Sequence, residues 1–145
     1  MERGLPPDPV SVPARIRRDS AGFVGRRVLV VENDPDMRQA FTFLLNGWGM
    51  EVQAVGGVGP ARDAAARMIP DLLLTDYRLD GDETGIQTIR ALTHDLGRAL
   101  PALIVSAESP EAIRGEAGDL SVEILEKPVA ENDLRRAMLA ALAQG

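Results

Sequence analysis

The chain has 145 residues, 45% of them hydrophobic, and carries a formal net charge of −6 at pH 7 with no cysteine and a single histidine. That is one domain's worth of chain with an ordinary core-forming composition. The acidic balance argues against a nucleic-acid surface, the cysteine count excludes disulfides and thiol chemistry, and no apolar run approaches the ~18 residues of a membrane span.

Residues 1–25 read as a flexible tail or linker: Pro6, Pro7, Pro9 and Pro13 break regular structure, and Arg15, Arg17 and Arg18 add charge without apolar periodicity. No apolar segment follows Arg17-Arg18 to complete a twin-arginine export signal, so the cytoplasm is the expected compartment. From Arg26 onward strand and helix alternate. Residues 28–31 form a continuous apolar run, as a strand buried on both faces should. Asp34-Pro35 opens a helix, with aspartate as cap and proline in the first turn. Met37, Phe41, Leu44, Leu45 and Trp48 make its apolar face, and Gly47 and Gly49 end it. A second strand is predicted over 50–55, an alanine-rich helix over 59–68 and a third strand over 71–75. A helix over 84–96 turns Ile86, Ile89, Ala91 and Leu92 inward, and a fourth strand covers 102–105. Ser109-Pro110 repeats the cap-then-proline signal for a short helix weakened by Gly115. A fifth strand over 120–125 and a last helix with Leu134, Met138, Ala141 and Leu142 on its face complete the chain. Five β-α units with short connections predict one α/β domain over 26–145, a parallel sheet covered by helices on both sides through right-handed crossovers.

The chemistry lies where the apolar runs stop. Glu32, Asn33 and Asp34 follow VLVV, Asp76 follows DLLLT, Ser106 follows PALIV and Lys127 follows VEILE. Open α/β sheets bind ligands at the edge formed by the carboxyl ends of their strands. Carboxylates gathered there need a cation, and oxygen ligands with few protein contacts suit Mg²⁺. An aspartate beside such a cation can act as a nucleophile and hold a phosphoryl group. Lys127 is the one lysine among 16 basic residues, a compact point charge where the rest of the chain uses arginine. Pro128 after it is a candidate for a cis peptide bond.

In order and spacing, VLVVENDPDMR, LLLTDYRLDGDETG, ALIVSAE and ILEKP resemble the receiver domain of two-component response regulators, over about residues 26 to 143. The wording LLNGWGMEV and TDYRLDGDETG is similar to receivers attached to hybrid sensor histidine kinases. The resemblance implies the doubly wound, flavodoxin-like (βα)5 fold with strand order 2-1-3-4-5. It also implies Asp76 as phosphoacceptor, with Mg²⁺ held by Glu32, Asn33, Asp76 and the backbone carbonyl of Arg78. Ser106 and Lys127 would bind phosphate, Ile124 would stand at a switch position, and Arg78 and Glu108 would tune phosphoryl lifetime. The implied partners are a histidine kinase or histidine phosphotransfer protein and a downstream protein target, with homodimerisation compatible and no direct contact with nucleic acid or membrane. The expected output passes to a separate protein, or the chain is the C-terminal receiver of a hybrid kinase; it is not a conventional enzyme by itself. The competing expectation is a degenerate receiver-like interaction module that phosphorylation does not regulate.

Two positions depart from the family's pattern. Asn33 stands where a second acidic residue is usual, so weak Mg²⁺ binding is expected. Ile124 stands where many receivers carry an aromatic ring, so output must use backbone and helix shifts near Ser106 and Lys127. Three other motifs compete less well. Thr93-His94-Asp95-Leu96 imitates a kinase phosphohistidine box, the loop from Asp80 to Gly85 starts like an EF-hand but would end on Ala91, and Gly57-Val58-Gly59 lacks the third glycine of a dinucleotide loop.

Overall fold

The computed structural model describes residues 22–144. The elements are β1 (Arg27–Val31), α1 (Pro35–Gly47), β2 (Glu51–Val55), α2 (Val58–Arg67), β3 (Leu72–Asp76), α3 (Gly85–Leu96), β4 (Ala102–Ser106), α4 (Pro110–Ala117), β5 (Glu123–Glu126) and α5 (Glu131–Gln144). The five strands are parallel in one sheet, ordered β2-β1-β3-β4-β5.

Alternation along the central strands sends side chains to two cores, one on each side of the sheet. Val28, Val30, Leu72, Leu74, Leu103 and Val105 pack against α1 and α5, through Phe41, Leu45, Leu134 and Met138. Leu29, Val31, Leu73 and Ile104 pack on the opposite side with Ala61, Ala64 and Ala65 of α2, Ile86, Ile89 and Leu92 of α3, and Ile113 of α4. β3 and β4 are buried at every position, which is why their sequences read as unbroken apolar runs.

Local chemistry fixes the helix starts. The Asp34 side chain accepts from the Asp36 N–H, with Pro35 in the first turn of α1. Thr84 and Gln87 form a reciprocal capping box at the start of α3. Gly85 has no room for a side chain, since a Cβ there would run into the Asp76 carbonyl and the Thr75 side chain. This lets α3 begin directly against the end of β3. Ser109 differs from expectation: it stands at the start of α4 but makes no side-chain capping bond.

Two boundaries also differ. The fifth strand begins at Glu123 rather than 120, because the Arg114 guanidinium takes the Val122 carbonyl at 2.8 Å and Leu120 N–H turns back to Ala117. The tail expected over 1–25, with its Arg17-Arg18 pair, lies outside the described residues up to 21. Residues 22–25 form a turn in which Phe23 is fully buried, its ring stacked 5.0 Å from that of Trp48. Gly25 N–H and Gly49 C=O close this corner at 3.0 Å. A single aromatic between glycines has no periodicity, so its burial cannot be read from the sequence.

Candidate functional site

Strand register decides which side chains meet. Val31 pairs with Thr75, Asp76 with Val105, and Ser106 with Glu126. Glu32, Asp76, Ser106 and Lys127 therefore stand at or one residue beyond the last paired positions of four adjacent strands. All of these strands point the same way, so the four side chains share one edge.

Lys127 is the hub. Its Nζ lies 3.2 Å from Asp76 Oδ2 and 3.3 Å from Glu32 Oε1. Glu32, Asp76 and Ser106 are buried, whereas the Lys127 side chain is 23% exposed. Burial pushes the Glu32 carboxyl above its ordinary 4.5 and the Asp76 carboxylate adds to the effect; the Asp34 N–H and Lys127 oppose it without cancelling it. Burial also works against the Lys127 charge, but Asp76 and Glu32 outweigh it and hold the ammonium above its usual 10.5. The pocket is thus rich in negative charge that one lysine balances in part.

Around this hub the loops are tied down. The Ser106 hydroxyl accepts the Glu108 N–H at 2.9 Å, which leaves its own proton for a further acceptor. Lys127 N–H donates to the Ser106 carbonyl at 2.7 Å, joining the ends of β4 and β5, and the Lys127-Pro128 peptide is cis. Arg78, two residues after Asp76, pairs with Glu108 at 2.6 Å across the mouth of the site. Its guanidinium also lies 5.0 Å from the centroid of the Tyr77 ring. Ile124 is buried in the core on the α4 side.

The donor set fits a hard divalent cation. Glu32 and Asp76 supply buried carboxylates, Asn33 supplies an amide, and the Arg78 backbone is held beyond Asp76 by its bridge to Thr84. Among the described residues no three His, Cys, Asp or Glu side chains gather as a metal cluster. Cation binding here would rest on two carboxylates plus neutral oxygens.

Four further residues contribute to the site and carry no signal in the sequence that marks them. Arg38 reaches from α1 to the Glu32 carbonyl at 2.7 Å and the Asn33 carbonyl at 3.4 Å. Asp80 accepts from the Asn33 side-chain amide at 3.1 Å. Glu83 receives the Val58 N–H at the start of α2, where Gly57 has no side chain to cap it. Tyr77 donates its hydroxyl proton to Glu116 of α4. Asp80, Glu83 and Tyr77 act across gaps of 47, 25 and 39 residues that no local motif spans, whereas Arg38 reaches back only to the end of the preceding strand. By contrast, His94 sits exposed in the last turn of α3, away from the strand edge.

The family model of the response regulator receiver domain matches residues 28–139. This chain belongs to that family. It is similar to the DNA-binding response regulator MtrA of Mycolicibacterium smegmatis, 31% identical over 62% of this chain and 39% of MtrA. It is also similar to the KDP operon transcriptional regulatory protein KdpE of Escherichia coli, 33% identical over 79% of this chain and 50% of KdpE. The chain thus spans half or less of the length of these relatives. Among solved structures, a sensor protein from Polaromonas sp. JS666 superposes with a TM-score of 0.71 at 28% identity, covering 82% of this chain and 97% of that one. The receiver domain of Erythrobacter litoralis PhyR superposes at 0.72 with 21% identity, covering 83% and 92%, and shows the fold alone. The receiver of a two-component system expected from the sequence is therefore what the chain contains, in the expected strand order. No helix among the described residues is long and apolar enough to cross a membrane.

Proposed function

We propose that the receiver accepts a phosphoryl group on Asp76 from a phosphohistidine of a histidine kinase or phosphotransfer protein. The observation that carries this reading is the convergence of Lys127 on Asp76 and Glu32 at 3.2 and 3.3 Å. An Asp76 carboxylate oxygen attacks the phosphorus; the new O–P bond forms as the N–P bond breaks, and the imidazole nitrogen leaves with the electron pair. Lys127 neutralises a phosphoryl oxygen. At about 4 Å and an effective dielectric near 20 that attraction is on the order of 4 kcal/mol. The Ser106 proton is free to bond a second oxygen, and a charge-assisted bond of this kind contributes about 1.5–3 kcal/mol. Receiver domains generally use Mg²⁺ here; it would supply charge neutralisation, with Glu32, Asn33, Asp76 and the Arg78 carbonyl as its ligands.

The phosphodonor is assigned to the side of the site where an apolar groove of about 400 Å³ opens beside Lys127, lined by Met37, Phe41, Pro128 and Val129. New charge on Asp76 would draw Ser106 and Lys127 inward. That movement would reach α4, β5 and α5 through the Ser106–Lys127 backbone bond and the Tyr77–Glu116 bond. A separate target protein or the remainder of a larger kinase would read the shift.

The test is beryllofluoride binding and acetyl phosphate labelling of the wild type and Asp76→Asn. The proposal expects both signals in the wild type and neither in the variant. Intact binding to a partner kinase with no aspartyl phosphate in the wild type would favour an unregulated interaction module instead.

A further inference from the structure

The relation between Asn33 and Asp80 goes beyond the residues that the family pattern supplies. A carboxylate at position 33 would present two equivalent oxygens to a cation, whichever way it turned. A primary amide has one acceptor end and one donor end, and the donor end would repel a cation. An asparagine at this place is useful only if something selects its orientation. Asp80 does so: its Oδ1 lies 3.1 Å from Asn33 Nδ2. A carboxylate only accepts, so it captures the NH₂ end and leaves the Asn33 carbonyl oxygen as the end available to a ligand.

Asp80 is itself held in place. The turn that carries it is closed by Glu83 N–H to the Asp80 carbonyl at 3.3 Å and Leu79 N–H to the Glu83 carbonyl at 3.0 Å. Gly81 provides the left-handed residue at φ +64 that the turn requires. Glu83 anchors the same turn to the Val58 N–H at 3.2 Å. Opposite, Arg38 grips the Glu32 and Asn33 carbonyls, so the Asn33 backbone is fixed while Asp80 fixes its side chain.

We infer that Asp80 is a positioning residue for divalent-cation binding, which turns the Asn33 amide so that its oxygen serves the site. This rests on the phosphoacceptor reading of Asp76. The experiment is calorimetric titration of Mg²⁺ into the full chain and into Asp80→Ala, Asp80→Asn, Asn33→Asp and the double variant Asn33→Asp/Asp80→Ala. Loss of a group that orients a metal ligand weakens binding by about tenfold or more. Asp80→Ala should show about that loss. Asp80→Asn, whose own amide can turn either its donor or its acceptor end to Asn33 and so no longer selects the orientation, should also weaken binding, whereas unchanged affinity in this variant would count against the orienting role. In the Asn33→Asp background Asp80→Ala should cost little, because a carboxylate needs no orienting. A general electrostatic or structural role would instead give equal losses in both backgrounds. Equal losses, or saturable wild-type binding that Asp80→Ala leaves unchanged, would overturn this inference alone. No saturable Mg²⁺ binding in the wild type would overturn it together with the metal-assisted reading beneath it.

Discussion

Lys127 and Glu32 lie 95 positions apart in the chain, yet their charged ends meet at 3.3 Å. The contact closes the strand edge from β1 to β5 and holds Asp76 between them. The ammonium is the group that lets two carboxylates share a buried pocket. Removing one partner of a largely buried ion pair typically costs about 3–5 kcal/mol. Lys127→Ala should therefore destabilise the fold by about 3 kcal/mol, the lower end of that range because the lysine is partly exposed. Urea denaturation at neutral pH measures this, and an unchanged midpoint would contradict the pairing.

Asn33→Asp adds a unit charge to the proposed cation site. At about 4 Å such a charge is worth roughly 1 kcal/mol in water and about 4 kcal/mol near a protein surface. Mg²⁺ should bind about tenfold tighter or more in a calorimetric titration. An unchanged affinity would mean that position 33 does not face the ion.

Glu108 accepts from Arg78 at the mouth of the site, where both side chains are exposed. Exposed pairs of this kind contribute little to folding. Glu108→Ala should leave the denaturation midpoint nearly unmoved while changing the decay rate of the phosphorylated form. Identical decay in the two proteins would argue against a role in water access.

Tyr77 is the only tyrosine, so its ionisation can be followed alone by ultraviolet absorbance. The bond to Glu116 raises its pKa above the ordinary 10.0, and burial adds to this. A raised folded-state pKa means stability that is fully present below about pH 10 and lost as pH rises through the higher folded-state midpoint. Glu116→Ala should bring the absorbance midpoint down toward the ordinary value and shrink that alkaline loss. A midpoint that does not move would show that the bond is not maintained in solution.

Phe23 tests where the packed unit begins. Replacing a fully buried phenylalanine by alanine costs about 3–5 kcal/mol. Phe23→Ala should lower thermal stability by that amount, whereas a residue in a loose tail would cost nothing measurable.

The sheet was legible because β1, β3 and β4 are buried on both faces and spell it out as apolar runs. Asp34-Pro35 marked a helix start through local hydrogen bonding that sequence spacing records. Strand order rests on family resemblance, since the strand sequences themselves carry no instruction about their neighbours. Glu32, Asp76, Ser106 and Lys127 could be grouped because each ends a strand and parallel strands end together. Arg38, Asp80, Glu83 and Glu116 could not. Their partners lie on other elements or before the helix start, and a charged residue on a solvent-facing loop or helix looks the same in sequence whether it is solvated or bonded. Phe23 was hidden for the converse reason, an apolar residue in a segment whose prolines and arginines read as tail.

The central claim is that Asp76 is the phosphate-accepting group of this receiver. Intact-mass spectrometry after incubation with acetyl phosphate and Mg²⁺ tests it most directly. The account predicts one added phosphoryl group on the wild type and none on Asp76→Asn. An unmodified wild type, or equal modification of both proteins, would contradict it.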